Sequence, residues 1–202
     1  MITKPTPEYK QYYDSQNGRS GMEVVQTNLQ ILEDFLALLE KEHYILDIGC
    51  RTGKIVNYLH TKGYANSFGM DIGENAENNW KQGLTELYNA GKLKKEDIHN
   101  SIPFNYIFHM IIITHVIEHL YDLNKALKNI HNKLRNTGLL FTQVPIQEQN
   151  KFEKNKPHLI KFESKEDYIN TIESNGFVCV YEKEGFVAEN PEVLAVFQKQ
   201  TA

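Results

Sequence analysis

Ile45-Leu46-Asp47-Ile48-Gly49-Cys50-Arg51-Thr52-Gly53-Lys54 decides how the rest of the chain is read. Tyr44 to Ile48 form the apolar run expected of a parallel strand covered on both faces. Gly49 and Gly53 allow a sharp backbone turn and leave room for a ligand to approach the main chain. Ile55, Val56 and Leu59 then fall at helical spacing, and Thr52 is placed to cap that helix. Strand, glycine turn and helix N-terminus together make a site for a polar ligand, with backbone N–H groups expected to face it.

Outward from this stretch, helical and strand periods alternate. Val25, Leu29, Leu32, Leu36 and Leu39 predict an amphipathic helix over residues 22–41 that leads into the first strand. Beyond the turn, the helix stops at Lys62-Gly63, and Tyr64 to Asp71 predict a second strand. Residues 74–91 are polar and partly helical, packing through Trp80, Leu84, Leu87 and Tyr88. Strands follow over Leu93 to Ile98, Tyr106 to Thr114 and Gly138 to Val144, with a helix over Tyr121 to Leu134 between the last two. Ser164 caps a further helix, and Phe177 to Glu182 and Val193 to Lys199 close the chain as a hairpin. The predicted fold is α/β: a mostly parallel, Rossmann-like seven-stranded sheet with helices on both faces and a C-terminal antiparallel hairpin.

A length of 202 residues suits one domain, organised as an N-terminal arm (1–21), a leading helix (22–41) and a ligand-binding core (42–202). A formal net charge of -4 argues against a general nucleic-acid footprint. Two cysteines make no disulfide framework and fit a reducing cytoplasm. Met1 to Lys10 is polar with two prolines, so no signal peptide is expected, and Ile107 to Ile113 is too short to span a bilayer.

Ligands of such a sheet lie beyond the carboxyl ends of the strands. Asp71 stands there, about 20 residues after the turn, where an acid accepts hydrogen bonds from ribose hydroxyls. The alternative is an Asp that caps the following helix. The glycine pattern separates cofactors, because a dinucleotide fingerprint needs a second close-approach glycine where this chain has Arg51. Together with Asp47 before the turn, this suits a ligand without phosphates and with a positively charged end.

Asp-Ile-Gly-Cys-Arg-Thr-Gly (47–53), Gly-Met-Asp-Ile (69–72) and His-Val-Ile-Glu-His-Leu (115–120) resemble the successive motifs of class I S-adenosylmethionine-dependent methyltransferases. Pro157 to Ser164 and Glu173 to Phe177 are similar to the later part of that family, and the likeness spans about residues 40–182. It is nearest to the small-molecule branch that includes the ubiquinone-pathway O-methyltransferases. The resemblance implies S-adenosylmethionine as cofactor and methyl transfer to a small-molecule acceptor, at oxygen, without membrane or nucleic-acid partners. It implies that Asp47, Gly49, Cys50 and Gly53 border the methionine part, that Asp71 and Ile72 hold the ribose, and that Asp97 and Ile98 flank the adenine. Thr114 and His115 would close the pocket. Arg51 departs from the family pattern, which has glycine there.

His115-Val116-Ile117-Glu118-His119 also matches H-x-x-E-H, an inverted zinc-protease motif. That motif needs both histidines on one helical face, whereas this one follows a strongly apolar strand. A divalent metal at His115, Glu118 and His119, as in some ubiquinone-type relatives, is the lesser alternative to these residues bracing the next helix. Histidine suits removal of a hydroxyl proton near neutral pH, which makes His119 and His158 the candidate catalytic bases. A macromolecular acceptor, met by the tyrosine-rich arm, and a non-catalytic cofactor-binding domain are the competing functions.

Overall fold

The computed structural model describes residues 28–146, 158–187 and 190–201. Its order is α1 (Leu29–Leu36), β1 (Ile45–Ile48), α2 (Lys54–Thr61), β2 (Ser67–Asp71), α3 (Glu74–Gly83), α4 (Thr85–Asn89) and β3 (Leu93–Lys95). It continues with β4 (Phe108–Thr114), a 3-10 turn (Ile117–His119), α5 (Leu123–Lys133), β5 (Leu134–Pro145), α6 (Lys165–Glu173), β6 (Phe177–Val187) and β7 (Asn190–Lys199). The seven strands form one sheet in the order β3-β2-β1-β4-β5-β7-β6. β1 pairs in parallel with both β2 and β4, so the strand order reverses beside it. β7 is antiparallel to β5 and β6, giving the expected closing hairpin.

Alternation along the central strands sorts side chains into two layers. Leu46, Ile48, Ile111 and Ile113 pack on one side with Leu127 and Ile130 of α5 and Tyr168 and Ile172 of α6. Ile45, Met110 and Ile112 pack on the other with Leu32 and Leu36 of α1 and Ile55 and Leu59 of α2. Burial of each such side chain contributes about 1.5–3 kcal/mol. Both faces of β1 and β4 are therefore covered, which is why their sequences read as continuous apolar runs.

Several expected boundaries move. The described leading helix is Leu29–Leu36; N–H groups of Leu38 and Leu39 bond three residues back and tighten its end. Residues 22–27 and the tyrosine arm lie outside the described residues, as does most of the loop at 146–161. Thr52 does not cap α2: the N-cap is Gly53 with φ 77°, and no side chain accepts a cap bond. β2 begins at Ser67 because Tyr64 closes α2, its N–H bonding to Leu59 while its hydroxyl donates to the Leu36 carbonyl. Ser164 caps α6 as expected, accepting from the Asp167 N–H at 3.1 Å. β6 and β7 run on through Val187 and from Asn190, so Pro191 opens a strand instead of sitting in a loop. No helix among the described residues is long and apolar enough to cross a membrane.

Candidate functional site

The glycine turn sits at the carboxyl end of β1, where the strand order reverses. Gly49, Arg51 and Gly53 all take left-handed backbone, with φ of 75°, 46° and 77°. Gly49 has a second constraint: a Cβ there would lie 2.2 Å from Val116 Cγ2. Four of the turn's N–H groups are bonded within the protein. Gly49 and Cys50 donate to the Met70 carbonyl at 2.8 and 3.1 Å, and Gly53 donates to Cys50 at 2.7 Å. Arg51 N–H donates to Asp71 Oδ2 at 2.8 Å, while Gly73 N–H donates to Oδ1 at 2.8 Å. Trp80 of α3 donates its indole N–H to the Arg51 carbonyl. The left-handed Arg51 thus keeps the turn closed, with the N–H groups of Gly49, Cys50, Arg51 and Gly53 all bonded within the protein.

What the turn offers instead is acid. Asp47 is buried, and its Oδ2 has no hydrogen-bond partner among the described residues. Burial, then the charge of Asp71, pushes its carboxyl well above the ordinary range. Burial also raises the Asp71 carboxyl, against the pull of the Gly73 and Arg51 N–H groups. Asp71 therefore braces the turn and opens α3 through one bond to each oxygen. A carboxylate has about four acceptor positions, so capacity for hydroxyl donors remains. A cation beside these acids would relieve both. Cys50 is buried, Gly53 is packed by Leu84 of the next helices, and Ile72 is half-buried.

Asp97, expected at an adenine, is engaged by its own neighbourhood. His99 donates its N–H and approaches through Nδ1 at 2.9 and 2.7 Å, and Tyr121 donates its hydroxyl at 3.1 Å. His99 Nε2 accepts from the Asp122 N–H, which leaves the proton on Nδ1 facing Asp97. Tyr121 stacks on His99 with ring centres 3.6 Å apart. Although burial works against it, these donors hold the Asp97 carboxyl below the ordinary range. Ile98 is buried, its carbonyl tied to Asn129 at 2.7 Å.

At the end of β4, Thr114 is buried, and His115 adopts φ 52°, turning the chain. His115 meets Glu118 through Nδ1 at 3.4 Å and Glu192 through Nε2 at 3.1 Å. Gln143 donates to the same Glu192 oxygen at 2.7 Å. Burial opposes charge on His115, but the bonds to Glu118 and Glu192 hold its pKa up to about 10. Burial likewise opposes charge on Glu118, yet His119 and His115 pull it to about 2. The H-x-x-E-H stretch is a strand end and a 3-10 turn, without an α-helical face. Asp122, accepting from Lys125 N–H, caps the following α5.

The two histidines proposed as bases come together. His119 and His158 have ring centres 4.6 Å apart, edge to face. The Glu118 carbonyl accepts from Leu159 and Ile160 N–H at 2.8 and 3.0 Å, which seats the segment after His158. Sequence reasoning did not find Glu192, Gln143, His99, Tyr121 or Val116. Glu192 lies 77 positions from His115, and no spacing rule joins them.

A family model described as a methyltransferase domain matches residues 22–182. The chain belongs to this methyltransferase family. No protein of curated function matches it significantly. Among solved structures, geranyl diphosphate C-methyltransferase from Streptomyces coelicolor A3(2), with Mg2+, geranyl diphosphate and S-adenosyl-L-homocysteine, has a TM-score of 0.76. Identity is 11%, over 97% of this chain and 100% of that one. The [4+2]-cyclase SpnF gives a TM-score of 0.71 at 11% identity, over 97% of this chain and 92% of that chain. Magnesium protoporphyrin IX methyltransferase from Synechocystis PCC 6803, with bound SAH, gives 0.65 at 12% identity, over 96% and 93%. These likenesses establish the fold, while the reactions named for the three proteins differ.

Proposed function

We propose that this protein transfers a methyl group from S-adenosylmethionine to a small-molecule acceptor, at oxygen. The observation that carries the cofactor assignment is the pair of acids, buried Asp47 and half-buried Asp71, at a turn where the N–H groups of Gly49, Cys50, Arg51 and Gly53 are already bonded. A ligand with positive charge and ribose hydroxyls suits that surface, and one carrying a pyrophosphate does not. The unpartnered Asp47 oxygen fits an ammonium donor.

In this reading Asp47, Gly49, Cys50 and Gly53 border the methionine part, and Asp71 and Ile72 hold the ribose. Asp97 and Ile98 flank the adenine, and Thr114 and His115 close the pocket. S-adenosylmethionine, when bound, supplies an activated methyl for in-line displacement. The protein's share is alignment and exclusion of water. His119 and His158, beside Glu118, are assigned to the acceptor side, where an imidazole takes the hydroxyl proton. The small-molecule branch that the motifs resemble favours such an acceptor. The free thiols of Cys50 and Cys179 suit a cytoplasmic, single-domain enzyme.

Calorimetry with S-adenosylmethionine and S-adenosylhomocysteine tests the core of the proposal, and absence of binding by both would overturn it. Asp71→Ala is expected to weaken binding by about 1–3 kcal/mol, through loss of a charged acceptor. A labelled-methyl screen of phenols, carboxylates and amines tests the acceptor. Labelling confined to amines would overturn transfer to oxygen, and binding without labelling of any class, or of protein and RNA, would point to a non-catalytic domain.

A further inference from the structure

Asp71 pairs with Lys95 across β2 and β3, so Asp97 comes two residues beyond Lys95, at the same carboxyl edge of the sheet. The Asp97 side chain is 12% exposed and that of His99 1%. Asp97 Oδ1 accepts from the His99 backbone N–H at 2.9 Å and meets His99 Nδ1 at 2.7 Å, while Oδ2 accepts from the Tyr121 hydroxyl at 3.1 Å. A carboxylate offers about four lone-pair positions, so these three donors leave one, on Oδ2. Both side-chain donors are moored. His99 Nε2 accepts from the Asp122 N–H at 3.3 Å, and Asn129 donates to the Ile98 and His99 carbonyls at 2.7 and 3.4 Å. Tyr121 lies flat on His99 with ring centres 3.6 Å apart. Asp122 is the N-cap of α5 and Asn129 belongs to that helix, so α5 and the residue just before its cap hold the acid from both sides.

We propose that His99 and Tyr121 are positioning residues for recognition of the cofactor's base, fixing Asp97 so that a single acceptor position on Oδ2 is left to read an exocyclic amine. The inference rests on the assignment of Asp97 to the adenine made above. His99 fills Oδ1 and sets the plane of the carboxylate, and Tyr121 takes one side of Oδ2 and leaves the other. An acid held this way is an acceptor only, so it rewards an amine and repels a carbonyl oxygen at the same place on the ring. Without the Tyr121 hydroxyl, Oδ2 keeps its charge less firmly and can turn away from the base. Tyr121 stands two residues after His119, so the segment assigned to the acceptor side also carries the residue that aims Asp97 at the base.

The test is calorimetry of the full chain with S-adenosylhomocysteine and with S-inosylhomocysteine, in which a carbonyl oxygen replaces the amine. Wild type should prefer the adenosyl compound by at least about tenfold. Tyr121→Phe keeps the stacked ring and should keep its Tm, yet lower that preference about three- to tenfold, through weaker adenosyl binding with inosyl binding unchanged. The preference should also vanish at a higher pH in Tyr121→Phe than in wild type, because the carboxylate has lost a donor that favours its charge. In Asp97→Asn, His99 holds the amide oxygen and turns the amide N–H2 towards the base, so the preference should be lost. An unchanged ratio and pH profile in Tyr121→Phe, equal weakening of both compounds, or tighter adenosyl binding would overturn the proposal. Preference lost in Asp97→Asn but kept in Tyr121→Phe sinks this inference alone, and preference kept in Asp97→Asn removes Asp97 from the base and the inference with it. Absence of S-adenosylhomocysteine binding by wild type overturns the methyl-transfer reading and this inference together.

Discussion

Around the glycine turn, Asp71 is held by backbone N–H groups and buried Asp47 has an unpartnered oxygen, whereas beyond β4 the charged groups Glu118, His115 and Glu192 are held by one another. The first arrangement leaves two acids with raised proton affinity. The second leaves a carboxylate held near 2 and an imidazole near 10. By itself the first region is electrostatically strained and favours a cation, while the second already balances most of its charge. Binding competence and stability should therefore respond in opposite ways to the same kind of substitution in the two places.

The regions touch at Gly49 and Val116, and the largest effect is expected there. Gly49→Ala places a methyl 2.2 Å from Val116 Cγ2 on backbone at φ 75°. Left-handed strain of about 1–2 kcal/mol and overpacking of about 1–3 kcal/mol together predict a loss of about 2–5 kcal/mol. That corresponds to a Tm fall of roughly 5–20 °C, with cofactor binding lost. Val116→Ala in the same chain should restore part of the Tm, since it removes the methyl that is struck. Strict additivity in the double-mutant cycle would show that the two regions do not press on each other.

The next expected effect belongs to the side-chain region alone. Glu192→Gln removes one of the two carboxylates that hold the His115 charge, while leaving Gln143 an amide oxygen as acceptor. Deleting one member of a buried ionic pair is strongly destabilising, but His115 remains 25% exposed, so water screens part of the loss. A cost of about 1–2 kcal/mol is expected in urea denaturation, with S-adenosylhomocysteine affinity changed little. A large affinity loss with unchanged stability would place Glu192 at the cofactor instead.

This contrast also explains what could be read from the chain. Asp47, Gly49, Gly53 and Asp71 lie within one strand–turn–helix–strand unit, where hydrophobic period and glycine placement locate every side chain. The sheet was legible for the same reason, since its parallel strands are short apolar runs separated by helices. Arg51 was legible as a departure, though not its consequence, which is a left-handed residue whose N–H is bonded to Asp71. Asp97 shows where local reading stops: its position at a strand end is apparent, but its engagement by Tyr121 depends on a loop 24 residues away. Glu192 reaches His115 only because β7 inserts between β5 and β6. Antiparallel insertion is set by the packing of the whole sheet, and no spacing in the sequence encodes it.

The smallest expected change in stability is also the one whose sign is most informative. Asp47→Asn removes a charge that burial and Asp71 both disfavour. A carboxyl whose folded pKa is raised binds its proton more tightly in the native state than in the unfolded chain. Its ionisation therefore costs stability as pH rises from the unfolded value through the folded one, and that cost persists at neutral pH. The ligand-free wild-type protein should gain stability from this group as pH is lowered from neutral into the range where Asp47 takes up its proton. Asp47→Asn should lose that gain and be more stable at neutral pH by about 1 kcal/mol, or roughly 2–4 °C in Tm. Its affinity for S-adenosylmethionine should fall by about 1.5–3 kcal/mol, because a charged acceptor is gone. A variant less stable than wild type at neutral pH would mean that Asp47 is held by a donor, and the electrostatic strain assigned to the glycine turn would have no source.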